Sequence, residues 1–350
     1  MVGLGNLGRR FAELLIAKGD FVRCRFGLDL RLVGAADSHG AACDPDGLDP
    51  RIVVRIKSER GSIGAYPTAG RMGLGAVDLV RSVDADLLCE ASPVNLGAGG
   101  EPGLSCVRIA LERGMHVVTP NKGPIVLAYR ELVGLAKEKG VSLRFDGTVA
   151  GGLPALYLGM RDLRGAEVSR IEAVPNLVTG FILDRLAAGA SWEAALSEAR
   201  AEGQLESDPT WDLDGWDAAA KLVILANAVL HVPARLEDVD RRGIAGVSPD
   251  DVRREARQGR TIRLVALAER LLDGTYSLSV TPRPLSSDHP LGRLGSRGMG
   301  IVYSTDIYGT IAATIEETTP LPSAATILRD LLDIYVPGEP SGSLPPAASP

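Results

Sequence analysis

With 350 residues, 45% of them hydrophobic, 23% charged and only 4% aromatic, the chain has room for two domains whose cores are built from Ala, Val, Leu and Ile. A net charge of −6 leaves no basic face for a nucleic-acid partner and no like-charge block that reads as an interaction tail. Four cysteines without CxxC spacing (Cys24, Cys43, Cys89, Cys106) and four scattered histidines (His39, His116, His231, His289) indicate neither a zinc centre nor a disulfide framework.

The thiols are expected to be buried and reduced, as in the cytosol. No signal peptide stands out, and no uncharged apolar run reaches the roughly 18 residues of a membrane span. The expected setting is the cytoplasm, with no membrane and no nucleic-acid partner.

The chain opens on Met1-Val2 and runs straight into Gly3-Leu4-Gly5-Asn6-Leu7-Gly8, followed by the helical pattern Phe11-Ala12-Leu14-Leu15. A Gly-rich phosphate loop ordinarily follows a strand of about five residues. Two are present, so the reading places further strand residues ahead of Met1. Leu30–Asp37 reads as a strand ending in an acid. A polar stretch from Ser38 to about Gly75 carries a helix near Asp49–Glu59. Strands at Ala85–Glu90, His116–Thr119 and Ser142–Phe145 then alternate with helices at Gly103–Arg113 and Tyr129–Lys139, the pattern of a doubly wound parallel sheet.

Near Gly147 the texture changes. Helices are expected at about Ala155–Leu163, Gly180–Ala188, Ser191–Glu202 and Gly215–Leu230. Strands at Val168–Val174, Tyr276–Pro282, Gly300–Thr305 and Thr310–Ile315 suggest a mixed sheet. Pro322–Tyr335 is a last helix, and the Pro/Ser/Gly-rich tail 337–350 reads as disordered. The predicted class is α/β, a Rossmann-type parallel-sheet domain plus an α+β substrate and dimerisation domain. The expected boundaries are 1–147, with roughly 318–336 returning to it, and 148–317.

Three constellations could carry chemistry. The glycines of Gly3/Gly5/Gly8 allow a tight turn and close approach of a pyrophosphate to a helix N-terminus, and Asp37 ends the next strand, where a carboxylate bonds ribose hydroxyls. Alone, GxGxxG is a weak signal. The alternating strands and helices behind it strengthen it. The second is Val117-Val118-Thr119-Pro120-Asn121-Lys122, a strand ending in a polar loop whose lysine could polarise a hydroxyl or carbonyl oxygen, or could be an ordinary solvated side chain. The third runs from Glu206 to Lys221, where Glu206, Asp208, Asp212, Asp214 and Asp217 precede or begin a helix, Ala218–Leu230, that is apolar almost all round. Such a helix is buried. Asp217 and Lys221, four residues apart, share a face, and buried charges cost several kcal/mol unless paired or used. The alternative is a purely structural ion pair.

At these residues the sequence resembles the homoserine dehydrogenase family. Glu101-Pro102-Gly103-Leu104-Ser105, Gly114–Pro124 and Gly147–Pro154 carry the closest likeness, and the form is one without an appended ACT domain. The resemblance implies a homodimer that transfers hydride reversibly between homoserine and aspartate semialdehyde with NAD or NADP, in threonine and methionine biosynthesis. It implies Lys122 and Lys221 as acid/base lysines. It also implies substrate contacts from Glu206, Asp212, Asp217, Asn176 and Thr179, and cofactor contacts from Gly3, Gly5, Asn6, Leu7, Gly8, Asp37, Ser92, Pro93 and Asn121. A monovalent cation would fall on Asp146 and the carbonyls of Val149, Gly151 and Leu153, with Asp146 where the family has glutamate.

Two segments depart from the family. Leu177, Val178 and Gly180 replace small or polar residues in the motif from Asn176 to Leu183, and Thr318–Ser323 replaces a glycine-rich loop. A different small amino or hydroxy acid as substrate, and a catalytically silent nucleotide-binding relative, are the alternatives these departures leave open. Asp37 favours NAD, whereas Lys57 and Arg60 in the following segment could neutralise a 2′-phosphate.

Overall fold

The computed structural model describes residues 1–205 and 209–336; the tail expected to be disordered lies outside the described residues. The chain divides into two compact units, Met1–Gly151 together with the segment from Pro320 onward, and Gly152–Thr319. Among the described residues no helix is long and apolar enough to cross a membrane.

The first unit is held together at Val2, which forms parallel bridges to Ala36 on one side and Glu90 on the other. It thereby joins an antiparallel group, β1 (Gly34–Ala36), β2 (Gly40–Cys43) and β3 (Gly70–Met72), to a parallel one, β4 (Leu87–Cys89), β5 (His116–Val118) and β6 (Leu143–Arg144). The ladder continues through Val2 N to Cys89 O at 2.8 Å and Gly3 N to Ala36 O at 2.9 Å. The Met1 ammonium, buried, donates to Gly34 O at 2.7 Å.

Around the sheet lie α1 (Asn6–Phe26), α2 (Pro50–Arg60), α3 (Ala76–Ser82), α4 (Gly103–Glu112), α5 (Lys122–Lys139) and, from the far end of the chain, α12 (Leu321–Tyr335). Phe11 and Ala12 of α1, Val118 of β5, and Ile327 and Leu331 of α12 share one apolar core.

Several elements differ from the sequence reading. The stretch after Asp37 forms β2 and β3 as well as α2; their Gly/Ala-rich sequences carry little strand propensity. Helix α5 begins at Lys122, seven residues before the expected start at Tyr129. Asn121 caps it, with Oδ1 accepting from Gly123 N at 2.9 Å, and Pro124 sits in the first turn, where a missing N–H costs nothing. A non-helical Ala128 (φ −139°) interrupts the helix and masks its periodicity. Cys89 and Cys106 are buried as expected, whereas Cys24 and Cys43, on α1 and at the end of β2, are exposed.

The second unit is built on a six-stranded sheet in the order β12-β11-β7-β9-β10-β8. Its strands are β7 (Val168–Val174), β8 (Val239–Arg241), β9 (Arg260–Arg270), β10 (Tyr276–Ser286), β11 (Gly298–Thr305) and β12 (Thr310–Glu316). All neighbours are antiparallel except β8 and β10. Its helices are α6 (Ala155–Tyr157), which continues into a π turn at Leu158–Asp162, then α7 (Leu177–Ala187), α8 (Trp192–Ala201), α9 (Thr210–Leu213), α10 (Trp216–Ala228) and α11 (Pro249–Arg257). Helices α7, α10 and α11 pack against β9.

Strand β9 was absent from the sequence reading, as were β8 and α11. Residues 262–268 of β9 are buried on both faces, so no alternation marks the strand. Arg263 interrupts the apolar run; it is 2% exposed and pairs with Asp184 at 2.5 Å.

Candidate active site

In the first unit the glycine turn has the geometry of a phosphate cradle. Gly3 stands at φ +88°, and a Cβ there would lie 2.3 Å from the Ala91 carbonyl; one on Gly8 would lie 1.9 Å from Gly3 O. Both positions therefore exclude any side chain. Gly5 faces open space and, with Asn6, is exposed at the N-terminus of the 21-residue α1, while Leu7 is half-buried. Unpaired amides and the positive end of the helix dipole are thus presented outward, a fit for a dinucleotide's pyrophosphate. A separate cavity of about 470 Å³ lies between the chain segments entering β1 and β4, lined by residues such as Leu30, Leu79, Val83 and Met115. It is at the amino ends of the strands, the wrong end for a cofactor in this kind of sheet.

Asp37 stands just after β1, as expected, but its carboxylate is already engaged. One oxygen accepts from His39 N (2.9 Å), Gly40 N (3.2 Å) and Ser62 Oγ (3.0 Å), the other from Lys57 Nζ (2.9 Å) and Ile63 N (2.8 Å). Burial alone would raise its pKa; the Lys57 ammonium, the two amides and the Ser62 hydroxyl outweigh this and hold it below the ordinary carboxylate value. With its side chain 3% exposed, Asp37 acts as a knot between β1, α2 and the loop at Ser62, and the expected ribose contact would need those bonds to rearrange. Lys57 is committed to the same knot. Arg60, the other basic residue of the expected 2′-phosphate pair, ends α2 and is exposed.

The loops beyond β4 and β5 converge on Glu90, which is fully buried and which the sequence reading did not single out. Its carboxyl accepts from Ser92 N at 2.8 Å and Thr119 Oγ1 at 3.1 Å. Asn121 donates from Nδ2 to Ser92 Oγ (3.3 Å) and from its amide to Thr119 Oγ1 (3.0 Å). Burial pushes the Glu90 pKa up, only partly offset by bonds from Ser92, Thr119 and Asn121. The same Asn121 caps α5, whose first residue is Lys122, half-buried. Glu90 therefore ties the Ser92 loop to the loop that aims Lys122. Pro93, next to Ser92, is exposed.

In the second unit the acids and the lysine form a connected chain. Lys221 Nζ donates to Asp217 Oδ2 (2.7 Å) and Pro175 O (2.6 Å). Asn176 Nδ2 donates to the same Asp217 oxygen (2.7 Å) and to Asp212 Oδ1 (2.7 Å). Thr179 N returns to Asn176 Oδ1 at 3.1 Å, which makes Asn176 the N-cap of α7. Asp217 and Lys221 are 7% and 14% exposed, on a helix whose remaining residues are almost all buried. Three carboxamide and carboxylate groups thus orient one ammonium, an arrangement able to hold a lysine against a hydroxyl and exchange its proton. The stacked Trp211 and Trp216, centroids 5.8 Å apart, flank this chain, with Arg241 over Trp216. Glu206, the expected ammonium contact, lies outside the described residues.

Comparison with known proteins decides the family. The family model for the homoserine dehydrogenase NAD binding domain matches residues 3–146, and the model for homoserine dehydrogenase matches residues 154–332. The homoserine dehydrogenase of Methanocaldococcus jannaschii is 34% identical over 336 residues, 96% of this chain and 97% of that protein. The chain belongs to the homoserine dehydrogenase family. The NAD(+)-dependent homoserine dehydrogenase of Pseudomonas canavaninivorans is 33% identical over 96% of this chain and 95% of its own length. A hyperthermophilic archaeal homoserine dehydrogenase solved in complex with NADPH superposes with a TM-score of 0.83 at 29% identity, covering 97% of each chain.

Against this family the monovalent-cation site does not fit. Asp146 is buried, but its carboxylate is bonded by the guanidinium of Arg329 on α12. The Gly151 carbonyl accepts from Thr326 Oγ1 at 3.0 Å and the Leu153 carbonyl from Ala155 N at 2.7 Å, while Val149 is fully buried. In the altered substrate-domain motif, Val178 and Gly180 lie buried in the first turns of α7 and Leu177 is half-buried. Thr318–Ser323 leads into and begins α12, with Pro320 at its N-cap.

Proposed function

We propose that the chain is an NAD(P)-dependent homoserine dehydrogenase that interconverts homoserine and aspartate semialdehyde, with Lys221 as the group that exchanges the hydroxyl proton. The observation that carries the reading is the hydrogen-bonded chain Asp212–Asn176–Asp217–Lys221 on a buried helix. Charges so placed are costly and are retained where they are used.

When bound, the nicotinamide supplies the hydride acceptor. Gly3, Gly5, Asn6, Leu7 and Gly8 would hold the pyrophosphate, and Ser92, Pro93 and Asn121, in the loops beyond β4 and β5, would border the cofactor. On oxidation of the alcohol, the carbon gives up its hydride and the hydroxyl its proton, which Lys221 receives as the neutral amine; on reduction the Lys221 ammonium returns that proton to the new hydroxyl. Lys122 is the second lysine of this chemistry. Asp212, Asp217, Asn176 and Thr179 line the amino-acid site, and Glu206 takes the substrate ammonium. NAD and NADP are both within the reading. The protein works as a homodimer in the cytoplasm, in the formation of threonine and methionine, a setting that rests on the family likeness.

The test is steady-state reduction of NAD+ and of NADP+ with homoserine. Lys221→Ala should lower kcat by about 10²-fold or more while leaving NADH binding, followed by fluorescence titration, unchanged. Undiminished turnover in that variant would remove Lys221 from the mechanism. The apolar Leu177 and Val178 support a second reading, in which a related amino or hydroxy alcohol is the substrate. A clear rate on such a compound with none on homoserine would select it.

A further inference from the structure

The first unit contains a buried carboxylate whose counter-charge comes from the chain itself. Asp146 opens the turn after β6, and its side chain is 0% exposed. Arg329 on α12 bonds that carboxylate, and Arg329 Nη2 also lies 3.4 Å from Thr326 Oγ1. Thr326 in turn donates to Gly151 O at 3.0 Å, and the neighbouring Asp330 accepts from Asp146 N at 3.1 Å. One turn and a half of α12 therefore grips both ends of the segment Asp146–Gly151, at the residues where the family resemblance implies a monovalent cation.

A cation held by a carboxylate and carbonyl oxygens would do two things there: neutralise the buried charge and tie the turn together. The guanidinium already supplies the counter-charge of Asp146, next to a second buried carboxylate, Asp330, and the Thr326 and Asp330 bonds tie the turn together. A metal ion added to this ring would meet the like charge of Arg329 beside the buried Asp146 carboxylate and would have to displace the Thr326 hydroxyl from Gly151.

We infer that Arg329 takes the place of a monovalent cation in this protein, which makes its fold and its turnover indifferent to Na+ and K+. The inference concerns the integrity of the first unit and does not depend on which substrate is oxidised.

The experiment measures Tm of the full chain in sodium, potassium and tetramethylammonium chloride at equal ionic strength. The wild type should melt at one temperature in all three salts. Arg329→Ala should melt on the order of 5–10 °C lower in tetramethylammonium and recover part of that loss in sodium or potassium. Arg329→Lys, which keeps the charge, should stay indifferent to the cation. A wild-type Tm that climbs in sodium or potassium would overturn the inference, and so would an Arg329→Ala variant with wild-type Tm and no cation response. Should Arg329→Ala fail to fold, the wild-type comparison still decides. Homoserine turnover, read in parallel, should be equal in the three salts for the wild type. Its absence in every salt would count against the proposed activity and leave the melting comparison intact.

Discussion

Asn176 uses one amide nitrogen to bridge Asp212 and Asp217, and Asp217 passes the contact on to Lys221. Asn176→Ala would leave two closely spaced acids unbridged and uncap α7, at a cost of about 1–3 kcal/mol. A lowered Tm together with a fall in kcat/KM for homoserine is the expected result. Glu90 makes a different case, because burial favours its protonated form. Its folded-state pKa lies above the unfolded value, so in that range the folded protein holds more protons and stability declines as pH rises through the folded pKa. Glu90→Gln, which cannot ionise, should escape this decline: the Tm difference, variant minus wild type, should grow with pH. Glu90→Ala should cost about 2–4 kcal/mol through orphaned donors and a cavity, and slow turnover by loosening the Asn121 cap in front of Lys122.

At the level of elements, Asp37 joins β1, the start of β2 and α2 through five hydrogen bonds. Here the folded pKa is depressed, so the contribution is present above the unfolded value of about 3.9 and is lost as pH falls through the folded one. Asp37→Asn should lower Tm at neutral pH and flatten the acid limb of the stability curve, as melting below pH 4 would reveal. This knot was only half legible: the position of Asp37 after a strand could be read, but its partners Lys57, Ser62 and Ile63 arrive from 20 to 26 residues away. Strands exposed on one face announced themselves: β12, alternating along Thr310–Glu316, was expected at Thr310–Ile315; β7 also matches its expected span of Val168–Val174. Strand β9 did not, because burial on both faces erases the alternation that marks a strand. Helix α5 starts seven residues ahead of its sequence pattern because Gly123 and Pro124 have loop-like composition, while the Asn121 cap and Pro124 in the first turn suit a helix start.

For the molecule as a whole, the first unit is discontinuous in sequence. Ile327 and Leu331 complete the core around Phe11 and Val118, and Arg144 pairs with Asp333 at 2.9 Å. A fragment ending at Gly151 would expose that core and strand Asp146 without its guanidinium. It should fail to unfold cooperatively in circular dichroism melts, and a covalently linked 321–335 segment should restore the transition. The sequence by itself determined the glycine turn, the alternation of strands and helices that follows it, the buried helix bearing Asp217 and Lys221, and the family these belong to. Those are local properties, written in periodicity, in charges placed on an apolar face and in short motifs. Only the tertiary structure decided that Asp37 is spent on an internal knot, that Glu90 ties two loops together, and that Arg329 neutralises Asp146 across 183 residues of chain. Burial and hydrogen-bond partnership depend on which distant segments meet, and a buried carboxylate takes whatever donor the fold brings to it.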